Sequence, residues 1–185
     1  MGGRVGCRAR GRKAPTINAD KGGLMVSVAP ILSWLAALVF AAIAVARGPR
    51  PIAWTFAADC LLRYLMLFPV GLMGLWAALG HLVFPVEAAQ AIGWATSPFQ
   101  SEVGSANLGI GLAGIYAAFR SFDARLATAL VVAGFLGGAG VVHIDEIMRT
   151  GNLAPGNAGP ILFTDFLTPI VILLLLAATR PRRAA

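Results

Sequence analysis

From residue 25 onward this chain alternates long apolar runs with short clusters of Gly, Pro and Arg. A helix needs roughly 20 mostly apolar residues to cross a bilayer. Met25–Ala46 supplies 22 residues without a charge, and Arg-Gly-Pro-Arg-Pro at 47–51 ends the run. A second run extends from about Phe56 to Phe84. Asp59 and Arg63 stand one helical turn apart near its start, and 23 residues then pass before the next charge, Glu87. Pro69 predicts a kink in this helix and Pro85 its end. The third span runs from about Ser101 to Phe119. The fourth runs from Leu126 to about Met148, with 19 uncharged residues before Asp145, and the fifth covers about Ile161–Thr179. Between them, Val86–Ala95 predicts a short interfacial helix with Trp94 at headgroup level. Asp123 in the 120–125 turn is placed to cap the next helix, and Gly151–Pro160 reads as a loop. The expected fold is an all-α integral membrane helical bundle of five spans, with one N-terminal transmembrane helix (25–46) and a four-helix core (52–180).

Composition supports that assignment. Of 185 residues, 58% are apolar and 12% charged, and the mean hydropathy is +0.77. A soluble domain carries about 25% charged residues, so too few are present here to cover a soluble surface or to keep a chain disordered. Glycines in the apolar runs support close helix packing. Gly134 and Gly138 form a small-xxx-small pair, and Gly71, Gly74, Gly104, Gly111 and Gly114 suit close approach.

The net charge of +7 would point to nucleic acid in a soluble protein. Its distribution argues for topology instead. Five spans put Arg47, Arg50, Arg63, Arg120, Arg125, Arg180, Arg182 and Arg183 on one side, against Asp59 and Asp123. The other side carries Arg149 against Glu87, Glu102, Asp145, Glu146 and Asp165. The positive-inside bias puts the arginine-rich side and the C-terminus in the cytoplasm, within a cell inner membrane. Residues 1–24 hold six basic residues and only Asp20 as an acid, and read as a disordered tail. Translation starting at Met25 would remove this tail. A signal peptide cleaved after Ala44-Val45-Ala46 is the rival reading, although its apolar stretch is long for that role. The partners expected are the lipid bilayer and either a second copy or a membrane complex, with no nucleic acid.

The minority charges carry the candidate chemistry. Alternating helix direction brings His81, Glu102, Asn107, His143, Asp145, Glu146 and Asp165 to one membrane face from four spans. Ionisable groups within a membrane are costly and usually face a bundle interior or water. His143 and Glu146 are spaced to share a helix face, and Asn107 lies about 7–8 Å deeper than Glu102 at ~1.5 Å rise per residue. Two imidazoles with carboxylates suit a divalent metal such as Zn, Fe or Mn, or a proton relay. The metal set expected is His81, Glu102, His143 and Asp165, with Asn107 added for a polar ligand. The competing interpretation at each position is a helix-pairing or solvated residue. Gly109-Ile-Gly-Leu-Ala-Gly114 matches a dinucleotide fingerprint but sits inside an apolar helix, without the strand that motif requires. Cys7 and Cys60 make neither a disulfide nor a metal pair.

The string Leu-Phe-Pro-Val-Gly-Leu-Met-Gly-Leu-Trp-Ala-Ala-Leu-Gly-His81 is followed by Ile92-Gly-Trp and Ser97-Pro-Phe-Gln-Ser-Glu-Val-Gly-Ser-Ala-Asn107. His143, Ala154-Pro-Gly-Asn-Ala-Gly-Pro160, and Asp165 with Pro169 complete the pattern. Over roughly 60–180 this resembles a family of small bacterial and archaeal multi-pass membrane proteins of unknown function. The resemblance implies a four-helix core, with His81, Glu102, Asn107, His143 and Asp165 as polar motif positions. Asp145, Glu146 and the N-terminal tail lie outside it, and it implies no activity. Three functions are therefore expectations: a membrane protein binding a metal ion or small polar ligand, an accessory subunit of a membrane complex, or a small-solute or proton transporter.

Overall fold

A computed structural model describes residues 19–181; residues 1–18 of the tail expected at 1–24, with Arg182 and Arg183, lie outside the described residues. Among the described residues the chain is entirely helical, with no strand. The helices are α1 (Ala19–Ala46), α2 (Trp54–Leu65), a π-helical turn (Met66–Leu72), α3 (Met73–Val83), α4 (Pro85–Ile92), α5 (Phe99–Ala118), α6 (Phe122–Thr150), α7 (Pro155–Ala158) and α8 (Pro160–Ala178). Helix α1 begins at Ala19, six residues before the expected start at Met25, so the end of the predicted tail is helical.

Four segments are long and apolar enough to cross a membrane: Gly23–Ala46, Trp54–Val83, Phe122–Thr150 and Pro155–Ala178. Helix α5, the expected third span, has 20 residues. Gln100, Glu102, Ser105 and Asn107 in its first half leave it more polar than these four.

Pro69 is accommodated without breaking its helix. It has no N–H, and its ring would crowd the carbonyl four residues back in an α-helix. The turn around it widens to π geometry, where Met73 N–H donates to Phe68 O. The α2–α3 rod thus runs on to Val83.

Small residues decide how this rod packs. Gly71 and Gly74 lie against Gly111 and Gly114 of α5. A Cβ on Gly74 would stand 2.9 Å from Gly111 Cα, and one on Gly111 only 2.7 Å from the Leu75 backbone nitrogen. The two backbones touch, which only glycine permits. The buried face of α5 includes Gln100, Gly104, Asn107, Gly111 and Gly114, spaced by four, three, four and three residues. Helix α6 pairs with α8, where Gly140 receives the Phe166 ring, and α1 packs on α2 and the π-helical turn through the Phe40, Tyr64 and Phe68 rings. The expected packing role of Gly134 and Gly138 is not seen among the described residues, because a Cβ at either would meet none of them within 4 Å.

The core between the ends is apolar. Leu62, Leu65, Met66, Val132, Ile172 and Leu176 are fully or almost fully buried. One end is tied by Arg125, whose guanidinium donates to Asp59 Oδ1 at 2.5 Å and to the Ala117 and Ala118 carbonyls at 3.2 Å. Asp59 pairs with Arg63 only at 3.8 Å. Arg125 therefore satisfies the carbonyl end of α5 while joining α6 to α2. Ser121, rather than Asp123, is the N-cap of α6, and Asp123 sits in the first turn. The opposite end holds the polar residues on which the functional argument rests.

Candidate functional site

Loop geometry prepares this end of the bundle. Helix α4 stops at Gly93, whose φ of 85° is left-handed. A side chain there would also strike Asn152, which donates from Nδ2 to Ile92 O at 2.9 Å. In the 151–160 segment, expected as a loop, Pro155–Ala158 forms a short helix, and Gly156 lets it press on the Ala91 carbonyl. These contacts bring α4, α6 and α8 around one pocket.

His143 is held most completely. Asn157, fully buried, donates from Nδ2 to Asn152 O (2.9 Å) and to His143 O (3.4 Å). Its Oδ1 accordingly faces His143 Nδ1 at 2.7 Å, and Nδ1–H donates to it. Trp94 stacks on the imidazole, with ring centroids 5.8 Å apart and planes inclined by 28°. The free edge, Nε2, stands 3.8 Å from Asp165 Oδ2. That gap is too long for a hydrogen bond. Asp165 is 3% exposed, and its carboxylate accepts no hydrogen bond among the described residues.

His81, in the last turn of α3, donates from Nδ1 to Gln100 Oε1 at 2.5 Å, linking α3 to the start of α5. Asn107 donates from Nδ2 to Val103 O at 3.0 Å within α5, which leaves its Oδ1 available.

His81, Gln100, Asn107, His143 and Asp165 all line one cavity of about 390 Å3. Its remaining walls are mainly apolar and aromatic, among them Met73, Trp76, Phe84, Trp94, Phe99 and Phe135. Met25 and Val26 of α1 close one side. Leu79, Phe99 and Val142 line the same cavity and are exposed on the outer surface, so the rim is apolar. A side chamber of about 60 Å3 adjoins it, sharing Asn107 and Asp165 and adding Ser33, Thr164 and Thr168. Thr168 also accepts a hydrogen bond from Trp34 Nε1 at 3.1 Å.

Four of the five expected site residues thus meet, and Glu102 does not. It is exposed, two residues past Gln100 and therefore about 200° around the helix from it. Gln100 takes the place expected of Glu102. The signal that finds it is the helical face on which 100, 104, 107, 111 and 114 fall together. The expected metal set is not assembled, since Glu102 points away. Among the described residues no three His, Cys, Asp or Glu side chains are grouped to hold a metal ion. Asp145 pairs with Arg149 at 2.7 Å on the exposed side, and Glu146 accepts from the Thr150 hydroxyl.

Residues 27–185 match a family of unknown function, DUF6790. The chain belongs to this family. The match includes nearly all of the apolar part of α1, so that helix is not an addition outside the family's extent, whereas residues 1–26 lie before it. No curated protein and no solved structure matches the chain.

Proposed function

We propose that this DUF6790 member is a multi-pass membrane protein that binds a small ligand, mainly apolar in body, in the 390 Å3 cavity. The ligand's polar end meets His143, Asp165 and Asn107, with His81 and Gln100 on a further wall. One observation carries this reading: a nearly fully buried carboxylate, without a hydrogen bond among the described residues, opens onto a pocket of ligand size. Burying an ionisable group without a partner is costly, so its presence favours an occupant that completes it. The mostly apolar walls argue for a more hydrophobic ligand than the small polar one expected from sequence.

Membrane insertion, with α5 as a fifth helix crossing among the other four, is supported by the apolar surface: Leu35, Leu79, Leu112, Val131 and Leu174 are all exposed. The arginine-rich end faces the cytoplasm of an inner membrane by the positive-inside bias, which leaves the cavity at the outer face. The apolar core between the cavity and Arg125 favours binding over passage of solutes or protons.

Mass analysis of protein extracted from native membranes in nanodiscs tests the reading. The expected result is one bound compound in the wild type, lost when Ala139→Phe fills the cavity while the protein still melts cooperatively. Wild-type protein carrying no small molecule, and taking up none of a panel of apolar probes, overturns it.

A second reading, as a subunit within a larger assembly or homo-oligomer, is favoured by the unfilled surface at Gly134, Gly137 and Gly138. A Gly134→Cys variant that crosslinks in membranes, to itself or to another subunit, supports that reading, and an unchanged monomer band argues against it.

A further inference from the structure

The deepest polar wall of the cavity presents acceptors to its occupant. Because Asn157 turns its oxygen to His143 Nδ1, that nitrogen carries the ring proton. In the neutral ring Nε2 is then a lone pair, aimed toward Asp165. Asp165 adds a carboxylate with no hydrogen bond among the described residues. Asn107 has turned its amide nitrogen to Val103 O, so its Oδ1 is the third acceptor. Among the described residues no Lys or Arg lines the main cavity or the side chamber. The aromatic walls include Trp76, Trp94 and Phe135, whose ring faces attract cations.

A carboxylate and two neutral acceptors without a cation call for an occupant with several donors and a positive charge. A water molecule brings two donors and no charge, and a hydroxyl brings one donor. An ammonium brings three N–H donors and the missing charge, and it can span the 3.8 Å between Nε2 and Oδ2 by donating to both.

We infer that the ligand carries a primary ammonium head on an apolar body, with the head seated between Asp165 and His143 Nε2. This rests on the binding reading above and specifies the ligand's chemistry. Asp165 supplies the charge, the lone pair of His143 the direction, and Asn157 the tautomer that makes the lone pair available. Asn157 is thus a positioning residue. A free lipophilic amine and the ethanolamine headgroup of a phospholipid share this chemistry.

The test uses the full chain in phosphatidylcholine nanodiscs, with saturable binding measured calorimetrically above empty discs. Three probes share one tail: n-octylamine, n-octanol and n-octanoate. Octylamine is expected to bind at least about tenfold more tightly than octanol, as a charge-assisted hydrogen bond warrants. Octanoate is expected to be weakest. Asp165→Asn, nearly identical in shape, should abolish the amine preference while octanol still binds. The wild-type comparison needs no variant, so a misfolded Asp165→Asn leaves the inference open to refutation.

Octanol or octanoate binding as tightly as octylamine overturns the ammonium head and leaves the binding reading standing. Failure of all three to bind overturns both. Displacement of octylamine by phosphatidylethanolamine added to the discs supports a lipid headgroup as the source, and lack of displacement supports a free amine.

Discussion

Asn157 illustrates how a residue with no reactive chemistry can determine what a reactive one does. Its single amide satisfies two carbonyls and one imidazole, and the direction of all three bonds follows from the carbonyls being acceptors only. Asn157→Ala leaves His143 Nδ1 and Asn152 O without this partner, each costing about 1–3 kcal/mol where water cannot enter, whereas His143 O keeps its helical bond. The expected result is a clearly lowered melting temperature in detergent, accompanied by a change in Trp94 emission as its stack with His143 loosens. An unchanged melt and spectrum would contradict the assigned bonds. Arg125 plays the matching part at the other end. Arg125→Ala leaves the Ala118 carbonyl without this donor, while Ala117 O keeps the Arg120 N–H at 3.1 Å, and removes the buried partner of Asp59, so a loss of about 1–3 kcal/mol is expected in the same assay. Arg125→Lys should recover little, because one ammonium cannot reproduce the guanidinium's three directed bonds.

At the scale of elements, glycine has two opposite meanings in this chain. Gly111 touches the backbone of α3, so Gly111→Ala must push two helices apart and should cost about 1–3 kcal/mol. A Cβ on Gly134 meets nothing among the described residues, so Gly134→Ala should be neutral or stabilise α6 by about 0.5–1 kcal/mol through helix propensity alone. Paired thermal melts of these two variants check the contrast. Destabilisation by Gly134→Ala would instead indicate a neighbour from outside the described residues. In the sequence these positions look alike, as small residues in apolar helices. Only the contact partner separates them, and partners are set by which helices lie side by side.

For the whole molecule, helix alternation sorts the chain into an arginine-rich end and an acceptor-rich end. Helix α6 alone spans from Arg125 to His143, 18 residues or about 27 Å at ~1.5 Å per residue, close to a bilayer's hydrocarbon thickness. The proposed orientation is checked with single cysteines at Ser121 and Thr150 in a Cys60→Ala, Cys7→Ala background. An impermeant maleimide applied to spheroplasts should label position 150 and leave position 121 unlabelled until the membrane is permeabilised. The opposite pattern would invert the topology and put the cavity on the cytoplasmic side.

Much of this was legible in the sequence. Apolar runs and their Gly, Pro and Arg punctuation located the long helices to within about six residues, because spanning length and helix breaking are local properties of the chain. Alternation of direction then brought His81, Asn107, His143 and Asp165 to one end, since only the order of the helices is needed for that. Helix phase and neighbours decided the rest. Glu102 and Gln100 are two residues apart, yet the rotation of α5 against α3 exposes one and buries the other. Sequence marks Asp165 and His143 as polar groups within apolar helices. That they face each other across a 3.8 Å gap, with no donor between them among the described residues, depends on the amide of Asn157 and on helices meeting from distant parts of the chain. Tertiary packing alone fixes such relations, because hydrogen-bond direction and cavity shape arise between elements.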